Sequence, residues 1–190
     1  MKSNNTFKEY VAPILVLVAI CMAVTFALAA TYGVTKPIID ENTAKAADAA
    51  RAELLAEADS FTAYDGELTV TIPEQVFTEE CYVADNKCGM VVTVKSKSFG
   101  GLITVMIGID DTGAITGIKV TDHADTPGLG TKAMTPEHLG QYEGLKQLTS
   151  HLVKEDTTVN HISGASISSG AVHEAVNCAL EQFEAMGGVN

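Results

Sequence analysis

Tryptophan is absent from this 190-residue chain, and lysine and arginine number only 12 against 24 acidic residues, a formal net charge of −12. The shortage of positive charge is uneven. Residues 1–36 hold Lys2, Lys8 and Lys36 against Glu9 alone, so the remaining 154 residues carry a net −14. A body that acidic repels phosphate backbones, which excludes nucleic acid as a partner. Cysteine is also scarce, with four residues and no Cys-x-x-Cys spacing. His123, His138, His151, His161 and His173 fall at no metal-ligand spacing. These shortages exclude a disulfide-dense scaffold and a zinc finger, and no metal site is expected. Cys81 and Cys88 bracket six residues, a spacing open to a hairpin disulfide or to two free thiols. Cys178 is expected to pack on an apolar helix face.

Charge of either sign is missing from the 26 residues between Glu9 and Lys36. Val11–Val34 is nearly all Val, Ile, Leu, Ala and Met, and as a helix it would reach about 36 Å against a hydrocarbon core of about 30 Å. Lysines precede the run and acidic residues follow it, which puts the N-terminus in the cytoplasm and the acidic body outside. Ala27-Leu28-Ala29 offers a rival reading as a signal-peptide cleavage site, but the uncharged run is longer than such a peptide's apolar core. Without one ionisable residue in the run, this chain alone provides no ion path. The organisation read from the sequence is a cytoplasmic head (1–10), a transmembrane helix (11–34), a stalk helix (35–60) and an extracytoplasmic domain (61–190).

Beyond the membrane run, Pro37 opens an Ala-rich helical pattern over Ile38–Ala58, a stalk or the first helix of the fold. Strands are predicted at Leu68–Ile72, Met90–Lys95, Leu102–Ile109 and Ala114–Val120, with a hairpin turn at Asp110–Gly113. Thr135–Leu152 reads as short helix and loop. Ser169–Met186 is amphipathic, with Val172, Ala175, Val176, Ala179, Leu180 and Phe183 on one face. No βαβ alternation appears. The fold class is α+β: an antiparallel sheet packed with helices, preceded by one N-terminal transmembrane helix.

Two segments carry chemistry. In Asp125-Thr126-Pro127-Gly128-Leu129-Gly130-Thr131-Lys132, the letters from Gly128 onward match a dinucleotide fingerprint, but Pro127 and Pro136 deny it the strand and helix that motif needs. The segment reads instead as a rigid loop: Pro127 fixes its path, and Gly128 and Gly130 let a flat ligand lie against backbone amides. A plain turn is the alternative. In Ser163-Gly164-Ala165-Ser166-Ile167-Ser168-Ser169, hydroxyls crowd ahead of the last helix. Ser168 or Ser169 can cap it, yet one cap needs one hydroxyl. A helix N-terminus with free amides also stabilises a phosphate, and Gly164 and Ala165 let it approach.

Together these segments resemble the FMN-binding domain of the G subunit of Rnf complexes, and similarly the C subunit of the sodium-pumping NADH:quinone oxidoreductase. The family loop Glu-Thr-Pro-Gly-Leu-Gly corresponds to Asp125–Gly130. The family attachment motif, an acidic residue, two residues of any kind and then Ser/Thr-Gly-Ala-Thr/Ser, corresponds to Asn160 and Ser163–Ser166. The resemblance implies FMN joined through its phosphate to Ser166, with Ser163, Gly164, Ala165, Ser168, Ser169, Thr126, Pro127, Gly128, Leu129 and Gly130 around it. It further implies an electron-relay subunit in a complex coupling electron transfer between ferredoxin and NAD to sodium or proton translocation. The implied partners are the other membrane subunits, membrane lipid and a flavin transferase, which would meet Asn160 where the family has an acid. A membrane-anchored module that binds a phosphorylated ligand non-covalently is the rival reading, and a purely structural anchor is a third.

Overall fold

Alanine is the commonest residue of the first quarter of the chain, and β-branched residues alternate through its middle, where the strands lie. In the computed structural model, which describes residues 10–189, helix α1 spans Ala12–Leu54. Strands follow as β1 Phe61–Ala63, β2 Val70–Ile72, β3 Val76–Ala84, β4 Gly89–Lys97, β5 Leu102–Asp110 and β6 Ile115–Asp122. A 3₁₀ turn (Gly130–Met134), the short helix α2 (Pro136–Leu139) and a second 3₁₀ turn (Gly140–Tyr142) lead to helix α3, Ser166–Ala185. The chain divides into two compact units, Met1–Ala46 and Ala47–Asn190. The expected cytoplasmic head lies, but for Tyr10, outside the described residues.

Among its described residues, the first unit is helix from Ala12 onward. It contains a stretch long and apolar enough to cross a bilayer, none of it buried. Pro37 removes one backbone donor without ending the helix.

In the second unit the last turns of α1 belong to the globular core. Ala50, Leu54 and Leu55 pack with Ala84, Val91 and Met106 on one sheet face. The Thr116 hydroxyl donates to the Leu54 carbonyl, satisfying one acceptor that every helix end leaves open. The Arg51 guanidinium lies 3.7 Å over the Tyr82 ring. The helix stops at Leu54, short of the predicted Ala58, and its last turns are the first helix of the globular fold.

The six-stranded sheet runs β1-β3-β4-β5-β6, with β2 also paired to β3, and the pairings are antiparallel. The fold is α+β, as the sequence predicts. Strand β3 was not predicted. A register shift between Thr78 and Glu80 places two acidic residues in succession and hides its alternation. Strand β4 is buried on both faces, so it reads as a continuous apolar run. Helix α3 covers the face opposite α1 with Val172, Ala175, Val176 and Ala179 against Val92, Val94, Val105 and Ile107. Cys178 is buried there too. Cys81 also joins this layer, 3.8 Å from the Met186 sulfur, whereas Cys88 packs against the α1 layer. The two thiols belong to opposite faces and are free. Burial pushes the Cys81 thiol up to about 12. At the predicted hairpin, Asp110 Oδ1 accepts from the Thr112 amide and hydroxyl and the Ala114 amide.

Behind α3 a buried polar knot ties down the irregular segment before it. The His173 Nε2–H donates to the Ser150 carbonyl at 2.8 Å, and Nδ1 faces the Tyr142 hydroxyl at 3.3 Å. Burial pulls His173 below its ordinary value and keeps it neutral. Asp156 accepts from the Thr149, Ser150 and Thr158 amides and the Thr158 hydroxyl. Burial pushes this carboxyl up, but these donors outweigh it and hold it well below the ordinary range. Asp156→Ala should therefore lower the unfolding free energy of the full chain in detergent by about 3 kcal/mol at pH 7, read by urea titration. The gap between wild type and variant should hold above about pH 5, begin to close near the unfolded carboxylate value of about 3.9, and keep closing through the lower folded value. A gap that widens on acidification contradicts this assignment.

Candidate functional site

The site is assembled around one carboxylate. Strand β6 ends at Asp122, and three residues later Asp125 turns inward, only 4% exposed. Its Oδ1 accepts from the Gly100 amide at 2.6 Å, and its Oδ2 accepts from the Ser98 hydroxyl. The Ser168 hydroxyl donates to the same carboxylate. Three separate segments are thereby drawn together: the β4–β5 turn, the loop beginning at Asp125, and the first turn of α3. Burial pushes the Asp125 carboxyl up, but the Ser168, Ser98 and Gly100 donors outweigh that and leave it below its ordinary value, with His123 adding to the effect. The packing leaves no slack. A Cβ at Gly130 would lie 2.8 Å from Asp125 Cβ, Asp125 Oδ2 and Ser168 Oγ.

The approach to α3 is held from behind. Gln141 Oε1 accepts from the Asn160 backbone amide at 2.9 Å and from its side-chain amide at 3.1 Å. Gly164 then adopts a φ of +85°, the left-handed conformation that costs glycine nothing, and turns the chain into the helix. Nothing lies within 4 Å of where its Cβ would stand, so that side of the turn is open. The helix starts at Ser166, three residues before the predicted start, and no side chain caps it. Ser168 and Ser169, read as caps from the sequence, sit inside the first turn. Ser168 is committed to Asp125, and the buried Ser169 hydroxyl donates back to the Ala165 carbonyl at 3.1 Å. The Ser169 amide bonds the Ala165 carbonyl at 2.9 Å, which leaves the amides of Ser166, Ile167 and Ser168 without helical partners. The positive end of the α3 dipole adds to them.

A cleft of about 310 Å³ opens between these segments. Of the residues singled out in the sequence, Thr126, Leu129, Gly130, Gly164, Ala165, Ser166 and Ser168 line it. Pro127, Gly128 and Ser163 are exposed in the same loops without lining the cleft, and Ser169 is turned inward. The glycine-loop amides, read as outward donors, are used within the loop. Gly128 donates to the Thr131 hydroxyl at 2.8 Å, and Leu129 and Gly130 both donate to the Thr126 carbonyl. The turn closes on itself, so it offers shape rather than hydrogen bonds. Phe99, Asp125 and Ile167 complete the lining. Asp125 and Ile167 lie in the two segments singled out from the sequence without being named as site residues, and Phe99 lies outside both, with only the Gly-Gly after it to mark that turn locally. Ser166 and the open helix amides give the cleft polar groups, and Phe99, Leu129 and Ile167 give it exposed apolar side chains. The cleft fits a ligand with an anionic group at one end and a flat, largely apolar body at the other.

A family model, the FMN-binding domain, matches residues 98–181, which embrace both loops and most of α3. Among curated relatives, the G subunit of the ion-translocating oxidoreductase complex of Methanosarcina acetivorans is 32% identical over 184 residues, covering 95% of this chain and 98% of its own length. The G subunit of the Na(+)-translocating ferredoxin:NAD(+) oxidoreductase complex of Acetobacterium woodii is 30% identical over 187 residues, 90% of this chain and 89% of its own. The G subunit of the proton-translocating ferredoxin:NAD(+) oxidoreductase complex of Clostridium ljungdahlii is 27% identical over 174 residues, 88% of each chain.

The Asp125 clamp is testable without any ligand. Asp125→Ala strands the Gly100 amide and two hydroxyls, and should cost about 2–4 kcal/mol of stability in urea titration. Hydrogen exchange at the Gly100 amide should accelerate by about 100-fold relative to wild type, ahead of any change in the β4–β5 ladder. Unchanged protection of Gly100 would show that the carboxylate does not hold the turn.

Proposed function

The chain belongs to the family of G subunits of ion-translocating oxidoreductase complexes, and from that premise we propose that it is an electron-relay subunit holding FMN covalently through a phosphoester to Ser166. One observation carries the reading: Ser166 opens an uncapped helix and shares its cleft with Thr126, Leu129 and Gly130. Ser166 supplies the ester oxygen. The amides of Ser166, Ile167 and Ser168, with the positive end of α3, stabilise the one negative charge left on the phosphodiester. Gly164 keeps the approach clear, and Asp125 holds the facing walls in register. When bound, FMN supplies the redox chemistry; the protein supplies attachment, orientation and electrostatics.

A covalent link suits a domain on the outer side of a membrane. Free flavin is dilute there, and a reversible site would empty by mass action. In this reading a flavin transferase loads Ser166. Asn160 stands where the resembled motif has an acid, and retains hydrogen-bonding capacity through its hold on Gln141. Residues 11–34 anchor the chain in the membrane with the N-terminus in the cytoplasm. The neighbours are the other membrane subunits of an Rnf-type complex, in which electron transfer between ferredoxin and NAD drives sodium or proton movement. The apolar run of α1 holds no ionisable residue, so the ion path belongs to those neighbours.

Produced in a host that contains the flavin transferase, the wild-type chain should carry a flavin adduct of roughly 440 Da and fluoresce in a denaturing gel. Ser166→Ala should fold and lack both signals, while Ser166→Thr, which keeps a hydroxyl at the same place, should retain them. Adduct persisting on Ser166→Ala would reject Ser166 as the acceptor. Colour lost on denaturation of the wild type would favour non-covalent binding.

A further inference from the structure

We propose that Gln141, aimed by a neutral His138, is a positioning residue for the loading of Ser166, an assignment that rests on the covalent-FMN reading of the site. Gln141 latches the start of the attachment segment at Asn160, and protonation of His138 opens the latch. The backbone sets the direction of the bonding. A main-chain N–H can donate and nothing else, so the Asn160 amide, 2.9 Å from the Gln141 side chain, fixes the oxygen Oε1 on that side. The Asn160 Nδ2 donates to the same oxygen at 3.1 Å. The Gln141 Nε2 then points the other way. It donates to the His138 carbonyl at 3.3 Å and lies 3.1 Å from His138 Nδ1. An amide nitrogen has no lone pair to offer, so Nδ1 is the acceptor, and the proton of the neutral imidazole sits on Nε2.

The surroundings hold the ring in that state. His138 is 4% exposed, and its Nε2 meets no acceptor among the described residues. The titratable groups facing it there are Tyr142, edge-on at 6.2 Å between ring centres, and His173 on α3 beyond. Neither is anionic: burial raises the Tyr142 phenol and lowers His173. The Asp156 carboxylate stands behind His173, 3.8 Å from its Nε2, and Glu137, the preceding residue, is exposed. Burial, with His173 adding to it, pulls His138 below its ordinary value. An imidazolium would set a second N–H against the Gln141 Nε2. Turning the amide over relieves that clash, but it brings Nε2 against the Asn160 N–H and Oε1 against the His138 carbonyl. The hold on Asn160 is then lost.

The latch occupies a gap between two other restraints. The Asp156 bonds end at Thr158, and the Ala165 amide, donating to the Ile162 carbonyl at 3.0 Å, closes the turn into α3. Between them Gln141 holds Asn160. In loading, the Ser166 Oγ bonds to the FMN phosphorus of a flavin dinucleotide and the phosphoanhydride P–O bond breaks. The nucleoside monophosphate leaves, and the hydroxyl proton passes to a base of the transferase. A hydroxyl carried on a fixed segment meets that phosphorus in one geometry for more of the time.

The full chain, made without a transferase and purified in detergent, tests the latch before any flavin is present. At neutral pH the imidazole nitrogen shifts of His138 should report a proton on Nε2. The protection factor of the Asn160 amide in hydrogen exchange should fall about 10-fold as His138 titrates, below its ordinary value of about 6.5. Gln141→Glu keeps an acceptor for Asn160 and turns a carboxylate oxygen to Nδ1. In that variant His138 should titrate above its ordinary value, and Asn160 should stay protected as the pH falls. A proton on Nδ1, or protection that does not follow His138, overturns the latch and leaves the covalent reading untouched. With purified flavin transferase and flavin adenine dinucleotide at neutral pH, Gln141→Ala should gain the flavin adduct about 10-fold more slowly than wild type, and Gln141→Glu within about twofold of it. Equal rates for Gln141→Ala and wild type overturn the positioning role. A wild-type chain that gains no adduct overturns the covalent reading, and the loading role with it.

Discussion

A single buried carboxylate decides the geometry of the cleft. Asp125 has no regular secondary structure around it, yet it accepts from the β4–β5 turn on one side and from α3 on the other. The glycine loop it begins is only as well placed as those bonds make it. Gly130 packs against the same carboxylate, so loop and anchor interlock. An ionised group under a cleft proposed to receive a phosphate looks unfavourable, but its charge is already matched by donors. The uncapped amides of α3 stay available beside it, and the dipole favours an anion at that end.

The same device recurs through the stretch between β6 and α3. Only short 3₁₀ and helical turns interrupt it, so its backbone amides cannot find partners in a ladder and side chains must supply them. Asp156 takes the Thr149, Ser150 and Thr158 amides, and Gln141 takes that of Asn160. His173, projecting from α3, takes the Ser150 carbonyl. An irregular segment is thereby tied down by side chains in place of a ladder.

How much of this was legible depended on range. The apolar run of α1, the amphipathic face of α3 and the Asp110 hairpin are local patterns, and each shows in the sequence. The loops around Thr126 and Ser166 stand out by composition, and the family resemblance joins them. Strand β3 was hidden because its bulge breaks the period-two signal at Glu79 and Glu80. The Asp125 partners Ser98 and Gly100 lie 27 and 25 residues away, and no local pattern announces a contact of that span. The inward use of the loop amides was equally invisible, since a Pro-Gly-Leu-Gly turn can aim its donors either way until the Thr126 carbonyl and Thr131 hydroxyl are placed.

The end of α1 has a consequence for anyone isolating the domain. The boundary between the two compact units falls within a continuous helix, not in a linker. Trimming the chain at Phe61, where the sequence reading starts the domain, would remove Ala50, Leu54 and Leu55 from beneath the sheet and bare Val91 and Met106 to water. A soluble fragment has to begin near Ala47, where the second compact unit begins, and keep the helical turns that serve as its floor.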